Sequence, residues 1–297
     1  MKTAMRTSLS LALTTAASLA APVADFATAL EQATSSKAPI AVFLHGSDWN
    51  KSGETLLKAW NDPRFSDIAG KDLLMVSIDR KENPSEVEKT AAKRNEACQP
   101  PYRSLPAVAL YDSDGRLVAT RSGIAEIKDS GGLPATVKSM RAALTDRDSL
   151  WKRASSSAGV QRASLYGAGL DRMNQGLGPK NLYQPVLDEI RKADPNDQSG
   201  YIGKYSFNRD ALLSMVMDKA KKNEQAAAEQ ELDKWLRNPR LSPRQIQELQ
   251  ATRFALYQRW PEKKSQARNA LEAMRKADPK SELGLAAASY LKQLKDS

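Results

Sequence analysis

The stretch IAVFLHGSDWNKSGETLLKAW, residues 40–60, places an apolar run, a polar loop and a helical pattern in succession. Residues 40–44 are all apolar, which predicts a buried strand. Residues 54–60 have a helical pattern, and the Gly, Ser, Asp and Asn residues between the two segments are typical of a loop. The order of the three segments predicts a strand–loop–helix unit of an α/β domain.

The segments that follow continue this alternation as far as about residue 146. The motif DSDG at residues 112–115 predicts a tight turn, so the strands on either side of it form a hairpin. The expected order is helix, strand, helix, strand, helix, strand, strand, helix. The predicted elements are strands at residues 73–78, 107–111 and 116–121, a polar helix at residues 84–97, and a last helix that opens at Gly131-Gly132 and reaches residue 144.

Beyond residue 146 the sequence predicts only helices, about eight of them, separated by Gly, Pro and Asn-Pro. The segment LDEIRKADPNDQSG at residues 187–200 recurs as LEAMRKADPKSELG at residues 271–284. Each copy predicts an amphipathic helix that ends at Ala-Asp-Pro, which is typical of stacked helical hairpins. Chance similarity between two Ala-rich helices is the alternative. The fold class is therefore an α/β domain over residues 21–146, followed by an all-α helical-hairpin domain over residues 147–297.

The N-terminus has the features of a secretory signal. Lys2 and Arg6 precede a mildly apolar segment, and Ser18-Leu19-Ala20 offers small residues at the two positions that a signal peptidase reads. Residues 1–20 are thus predicted to be a signal peptide, although a buried N-terminal helix is the alternative. We expect an exported protein, periplasmic or extracellular. No transmembrane anchor is expected, since no later window approaches about 20 apolar residues.

Positive charge is concentrated in the helical part. The whole chain carries 45 Lys and Arg against 35 Asp and Glu, and residues 147–297 hold 27 of the basic and 18 of the acidic residues. Basic and acidic residues alternate there, which is typical of solvated helix faces. The excess is consistent with weak attraction to acidic surfaces. Export and an aromatic content of only 6% disfavour nucleic-acid binding.

The chain has one cysteine, Cys98, and one histidine, His45. A single thiol excludes an intrachain disulfide, a CxxC redox pair and a Cys-rich zinc site. His45 ends the first strand, and Asp48 and Ser52 share the loop that follows it. One histidine without an adjacent nucleophile and an orienting acid does not predict a triad. We expect a structural role for His45, and neither a metal nor a cofactor.

The predicted element order, with FLHGSDW at residues 43–49 and SLPAVALYDSDGRL at residues 104–117, resembles that of thioredoxin-fold proteins. The resemblance is strongest to exported bacterial thioredoxin-like proteins that carry G-S-D-W-C-x-x-C and have helical extensions. It covers about residues 25–146 and implies a thioredoxin-like domain there. For the helical part it implies only a tetratricopeptide-like (TPR-like) architecture.

The resemblance maps the family's redox motif onto residues without sulfur. The motif's Trp falls on Trp49 and its two cysteines fall on Asn50 and Gly53, with Lys51 and Ser52 between them. In the family the first cysteine attacks a substrate disulfide as a thiolate, and the second resolves the mixed disulfide. An amide neither ionises near neutral pH nor forms a reducible adduct, so these degenerate positions cannot exchange disulfides. Asn50 can still begin a helix, because Asn is a favourable N-cap.

Pro106 falls on the family's cis-proline, which faces the active-site loop across a groove where an extended substrate backbone docks. The resemblance therefore implies a cis bond between Leu105 and Pro106. It also implies candidate peptide-binding residues at Trp49, Leu105 and Pro106. A role for Pro106 in shaping the turn alone is the alternative.

Cys98 has two interpretations. It lies eight residues before Pro106, which makes it a candidate for a displaced reactive thiol. A free cysteine is more often a small buried hydrophobic residue. No base accompanies Cys98 in the local sequence.

These observations predict an exported, redox-inactive thioredoxin-fold protein that binds a protein or peptide or serves as a scaffold. The alternative is an enzyme related to thiol–disulfide oxidoreductases that works through Cys98 or through a partner's thiols. The absence of both motif cysteines favours the binding module over an enzyme, because a fold alone does not establish an activity.

Overall fold

The computed structural model describes residues 22–129, 131–173 and 182–296. The predicted signal peptide, residues 1–20, lies outside the described residues. The described residues group into two compact units. The first takes in the chain up to Ser149 together with Gly169–Tyr183, and the second takes in Leu150–Ala168 and the chain from Gln184 onward.

The first unit is built on a mixed sheet of five strands. They are β1 (Pro22–Val23), β2 (Ile40–His45), β3 (Leu74–Asp79), β4 (Ala107–Tyr111) and β5 (Leu117–Ser122). The strand order is β1-β3-β2-β4-β5. β3 is parallel to both β1 and β2, whereas β4 is antiparallel to both β2 and β5. This register places Ser77 beside Phe43 and Asp79 beside His45.

Six helices accompany this sheet: α1 (Phe26–Ser36), α2 (Lys51–Trp60), α3 (Phe65–Ala69), α4 (Glu86–Lys93), α5 (Ile124–Asp129) and α6 (Leu133–Ser155). Alternate residues of β2 face opposite sides of the sheet. Phe43 packs with Trp60 of α2 in one apolar cluster, and Val42 packs with Phe26 of α1 in another. β2 is therefore buried along its whole length, which explains its uninterrupted apolar run.

The structure differs from the predicted elements in three additional elements and in the ends of some helices. β1 and the short helices α3 and α5 are additional, because two to six residues are too few to produce a recognisable hydrophobic period. The last helix of the α/β part, predicted to end at residue 144, continues as α6 to Ser155. Its buried residues Val137, Met140, Leu144 and Ala154 keep an apolar stripe beyond the change in composition.

Eight α-helices follow α6 in the described part of the chain. They are α7 (Gly159–Arg172), α8 (Gln184–Ala193), α9 (Tyr201–Ser206), α10 (Arg209–Lys221), α11 (Gln225–Leu236), α12 (Pro243–Tyr257), α13 (Lys264–Ala277) and α14 (Glu282–Asp296). Buried leucines from α10, α11 and α12 form one cluster, and α13 and α14 contribute a second. None of the described helices is both long and apolar enough to cross a membrane.

The two copies of the sequence repeat both form a helix, a turn and a second helix, but their glycines differ in role. Gly200 precedes α9 with φ at +73°, a conformation that favours glycine. Gly284 lies inside α14, where a Cβ atom would come within 2.0 Å of the main-chain oxygen of Asp278. The first glycine is needed for its backbone angle and the second for close packing, so the sequence match does not extend to identical turns.

Candidate functional site

The loop that carries the degenerate motif leads from β2 into α2. Asn50 is the N-cap of α2, and its Oδ1 accepts a hydrogen bond from Gly53 N over 3.2 Å. Lys51 and Ser52 are exposed in the first turn of α2, while Gly53 is buried. Asn50 thus satisfies one of the unpaired N–H groups at the start of the helix, as expected for an Asn N-cap.

The other end of the Asn50 carboxamide reaches the segment before β4. Its Nδ2 donates a hydrogen bond of 2.7 Å to the main-chain oxygen of Leu105. The Leu105–Pro106 peptide bond is cis, as the resemblance implied, and Pro106 is buried. The residue at the position of the family's first cysteine therefore joins the helix start to the cis-proline segment.

The main-chain N–H of Leu105 is a second polar group next to the contact with Asn50. Within the described part of the chain its N–H donates no hydrogen bond. Its side chain is half-buried and packs against the apolar cluster that contains Cys98. The backbone of Leu105 therefore has a carbonyl engaged by Asn50 and a donor that the described residues leave unused.

Trp49 lies across Gly46. A Cβ atom on Gly46 would come within 2.3 Å of Trp49 Nε1, so only glycine fits beneath the indole. The indole N–H donates to the main-chain oxygen of Arg80 over 2.9 Å, and the residue remains 45% exposed. Trp49 therefore combines a fixed position with an accessible apolar surface.

Ser47 and Asp48, the polar residues of the motif, hold the loop to the segment after β3. Ser47 donates from both its N–H and its hydroxyl to the carboxylate of Asp79. The carboxylate of Asp48 accepts from the main-chain N–H groups of Glu82 and Asn83. These contacts hold the loop together with those of Asn50, whose main-chain N–H donates to the main-chain oxygen of Gly46 over 2.8 Å.

His45 lies beneath the loop and is only 6% exposed. Its ring stacks on Phe43, its Nε2 is 3.0 Å from Ser77 Oγ, and its Nδ1 is 3.6 Å from Asp79 Oδ1. Burial lowers the pKa of His45, and the negative charge of Asp79 offsets part of that effect. His45 is therefore disposed to remain a neutral imidazole near pH 7.

The neighbours of His45 include Ser77 and Asp79, which lie far from it in the sequence, whereas Ser52 and Asp48 are the polar residues in the adjacent loop. Ser77 and Asp79 belong to β3, and their side chains reach His45 because the two parallel strands run in register. The alternation of polar and apolar residues in Val76-Ser77-Ile78-Asp79 indicates that Ser77 and Asp79 share a face of the strand, but it does not identify His45 as their neighbour. Two polar residues two apart on a strand share one face of the sheet.

Cys98 is fully buried in the apolar cluster that includes Phe26 of α1. Its sulfur lies 3.5 Å from the hydroxyl oxygen of Tyr111. Burial raises the pKa of the Cys98 thiol to about 11, although the Tyr111 contact and the charge of Arg80 act in the opposite direction. Of the two interpretations of Cys98, the geometry favours the buried hydrophobic residue, because a reactive thiol must be accessible and ionised.

Within residues 22–129, 131–173 and 182–296, no group of three or more His, Cys, Asp or Glu side chains is arranged to hold a metal ion.

No protein-family model matches the chain, and no curated protein matches its sequence. A solved structure described as a DsbH oxidoreductase is similar, with 21% sequence identity and a TM-score of 0.29 over 44% of this chain and 94% of that chain. The order and directions of the five strands fit a thioredoxin-like domain with a helical extension.

Proposed function

We propose that this protein is an exported, redox-inactive thioredoxin-fold module that binds an extended protein or peptide segment. The observation that carries the proposal is the hydrogen bond from Asn50 to the main-chain oxygen of Leu105. The Asn50 carboxamide, which binds main-chain groups, lies where the family that this chain resembles has a nucleophilic thiol. The site keeps a recognition geometry without a reactive atom.

The absence of redox activity follows from where sulfur lies in this chain. Asn50 and Gly53 have none, and the single thiol, Cys98, is buried with its pKa raised to about 11. Disulfide exchange requires a thiolate that can approach the substrate sulfur in line. The alternative enzyme working through Cys98 would need the core around Phe26 and Tyr111 to open at each turnover.

Binding of an extended segment is supported by two neighbouring features. The unused N–H of Leu105 offers a donor to a backbone carbonyl, which is how a strand adds to an exposed backbone edge. The exposed indole of Trp49 offers an apolar and aromatic surface to a side chain of the same segment. In this proposal Leu105, Pro106 and Trp49 contact the partner, and Asn50 sets the position of Leu105.

The helical part serves as a scaffold in this proposal. We assign residues 21–146 to the thioredoxin-like domain and residues 147–297 to TPR-like helical hairpins, whose concave surface adds contacts to the partner. The excess of basic residues gives weak attraction to acidic surfaces, and nucleic acid is not a partner. The protein needs no cofactor for this role.

Export is tested on the N-terminus of the secreted protein. Expression of the full chain in a bacterium with separable periplasm and medium should yield a mature form that starts near Ala21. Mass spectrometry of the exported fraction measures this start directly. An intact Met1 in that fraction, or retention of the whole chain in the cytoplasm, would contradict the signal assignment.

Binding is tested with a permanently unfolded polypeptide, such as reduced and carboxymethylated lactalbumin. We expect saturable binding by the full chain, and slower amide exchange at Leu105 when the probe is bound. Trp49→Ala should weaken binding about tenfold or more, as for an aromatic anchor. Ile68→Ala, an exposed apolar residue of α3, is the matched control and should bind normally.

The same preparation gives the redox measurement. In a buffer that contains a small-molecule thiol as reductant, the full chain should not raise the rate of insulin disulfide reduction above that of the buffer alone. Turnover above that rate that disappears in Cys98→Ser would favour the oxidoreductase alternative. Failure of the unfolded polypeptide to protect Leu105 would remove the binding role.

A further inference from the structure

We propose that Ser77, His45 and Asp79 form a second site, in which Ser77 is a nucleophile for small carboxylic esters and His45 is its base. This site is independent of the peptide-binding proposal. The sequence contains one histidine, and the fold brings a hydroxyl and a carboxylate to its two ring nitrogens.

The connectivity of the three side chains is the one that serine nucleophiles require. Ser77 Oγ is 3.0 Å from Nε2, the ring nitrogen that would take its proton. The carboxylate of Asp79 faces Nδ1 at 3.6 Å, which is an ion-pair distance and longer than a hydrogen bond. Contacts of this kind are often long without substrate. Each group thus faces the nitrogen that its role demands.

The base and the acid are held in position from several sides. The ring of His45 stacks on Phe43 with centroids 5.4 Å apart. Gly53 of α2 packs so closely that an added Cβ atom would lie 3.1 Å from His45 Cβ. Ser47 fixes the carboxylate of Asp79 through its main-chain N–H and its hydroxyl. The imidazole therefore cannot turn freely away from Ser77.

The protonation state suits a base. Burial lowers the pKa of His45, which keeps the imidazole neutral near pH 7. The negative charge of Asp79 favours the tautomer with the proton on Nδ1, which is an inference from the neighbouring groups. In that tautomer the Nε2 lone pair points to the hydroxyl of Ser77.

The surroundings of Ser77 are partly exposed. β1 pairs with β3 only through Met75 and Val76, so in the described part of the chain its pairing stops one residue before Ser77. Ser77 is half-buried, and the side chain of Asp79 is 30% exposed. A partly open edge next to a buried base suits a small ester better than a folded protein substrate.

The reaction is a balanced hydrolysis. Ser77 Oγ forms a bond to the ester carbonyl carbon as its proton passes to His45 Nε2. The bond from that carbon to the alkoxide breaks, and the alkoxide leaves with the proton from Nε2. Water then attacks the acyl-serine, gives a proton to Nε2, and the acid leaves as the proton returns to Ser77 Oγ. Ester and water yield acid and alcohol with no redox change.

The first test uses the wild-type full chain and a fluorophosphonate probe. Such a probe forms an oxygen–phosphorus bond with an activated serine and releases fluoride. We expect a single adduct, mapped to Ser77 by peptide mass spectrometry, and formation about a hundredfold slower in His45→Gln. Ser122→Ala is the matched control, since Ser122 is also a half-buried strand serine of this sheet, and it should react like wild type.

The second test measures hydrolysis of p-nitrophenyl acetate. The wild-type chain should hydrolyse it faster than Ser77→Ala, which should match the buffer rate. No adduct on the wild-type chain, an adduct at another residue, or equal ester hydrolysis by Ser77→Ala would each overturn the proposal. Mapping on the wild-type chain does not depend on the folding of any variant, and neither test depends on polypeptide binding.

Discussion

The carboxamide of Asn50 connects two segments that are 55 residues apart by donating from Nδ2 to the main-chain oxygen of Leu105 over 2.7 Å. Its Oδ1 at the same time accepts from Gly53 N at the start of α2. One side chain therefore caps a helix and holds the cis-proline segment beside it. A cysteine at this position could do neither as well, because a thiol is a weak donor and a weak acceptor.

The two functions of the Asn50 carboxamide can be separated by substitution. Asn50→Ala removes the cap and the bond to Leu105, and we expect its free energy of unfolding to fall by about 1–2 kcal/mol. Asn50→Ser keeps an N-cap acceptor for Gly53 N but loses the carboxamide donor to Leu105, so its loss should be smaller. Urea denaturation measures both. Ser85→Ala, which removes only the N-cap of α4, is the control, and a loss for Asn50→Ala no larger than the control's would contradict the bridging role.

Restoring both cysteines tests the alignment of the degenerate motif. Asn50→Cys with Gly53→Cys, in a Cys98→Ser background, places two thiols at i and i+3 across the first turn of α2, within the roughly 4.4–6.8 Å Cα span of a disulfide. We expect one intramolecular disulfide under mild oxidation, detected by mass spectrometry before and after alkylation. The thiol at position 50 should alkylate faster after reduction, because a helix N-terminus lowers a thiol pKa.

Gly53→Ala is the control for the restored motif. The added Cβ atom would lie 3.1 Å from His45 Cβ, so this variant should lose roughly 1 kcal/mol of stability through crowding. The double variant shares that cost and should still close its disulfide. A folded double variant that stays reduced under mild oxidation would show that residues 50 and 53 do not occupy the cysteine positions.

The stability of the protein should fall as the pH decreases below about 6.5, partly because of His45. Burial lowers its pKa in the folded state below the unperturbed 6.5, so the unfolded chain binds a proton first as the pH falls. His45→Gln should remove this component and show a weaker pH dependence over that range. Because the chain has one histidine, the difference between the urea midpoints of the wild-type chain and of His45→Gln measures the contribution of His45 alone. Identical pH profiles for the two proteins would contradict the burial of a neutral His45.

Cys98 should make the stability of the protein decrease as the pH rises into the alkaline range. The pKa of the thiol is near its ordinary value of 9.0 in the unfolded chain and about 11 in the folded protein, so stability should decrease as the pH rises from 9 to 11. Cys98→Ala should flatten that decrease, although a smaller side chain also leaves a small cavity. Labelling of Cys98 by a maleimide should be slow in buffer and fast in urea. Rapid labelling of the native protein would place the thiol at the surface.

A buried ion pair within the first unit should be more important for stability than exposed pairs. Arg147 Nη1 donates to Asp112 Oδ2 over 2.7 Å, and both side chains are 5% exposed. Arg147→Ala leaves a buried carboxylate without this partner and should cost about 3–5 kcal/mol, measured by urea denaturation. Arg64→Ala breaks an exposed pair with Asp62 and should have no measurable effect. Equal effects of the two variants would contradict this reasoning.

The local composition of the chain already predicted four of the five strands, β2 to β5, and a motif whose loop carries no thiol. Residues 40–44 could be identified as a buried strand because each side chain there is apolar and helices cover both faces of the sheet. The loss of thiol exchange required only the identities of residues 50 and 53. The helical character of the region after residue 146 also followed from local periodicity, but the continuous α6 and the two-residue β1 did not.

The partners of the polar side chains were decided only by the tertiary structure. Asn50 contacts Leu105. His45 on β2 contacts Ser77 and Asp79 on the neighbouring strand β3, although both are 32 or more residues away in the sequence. No local pattern encodes such pairs, because they depend on the register between β2 and β3 and on the position of the segment before β4. Register is set by the burial of both faces of the sheet together, since a one-residue shift would turn every side chain to the other face.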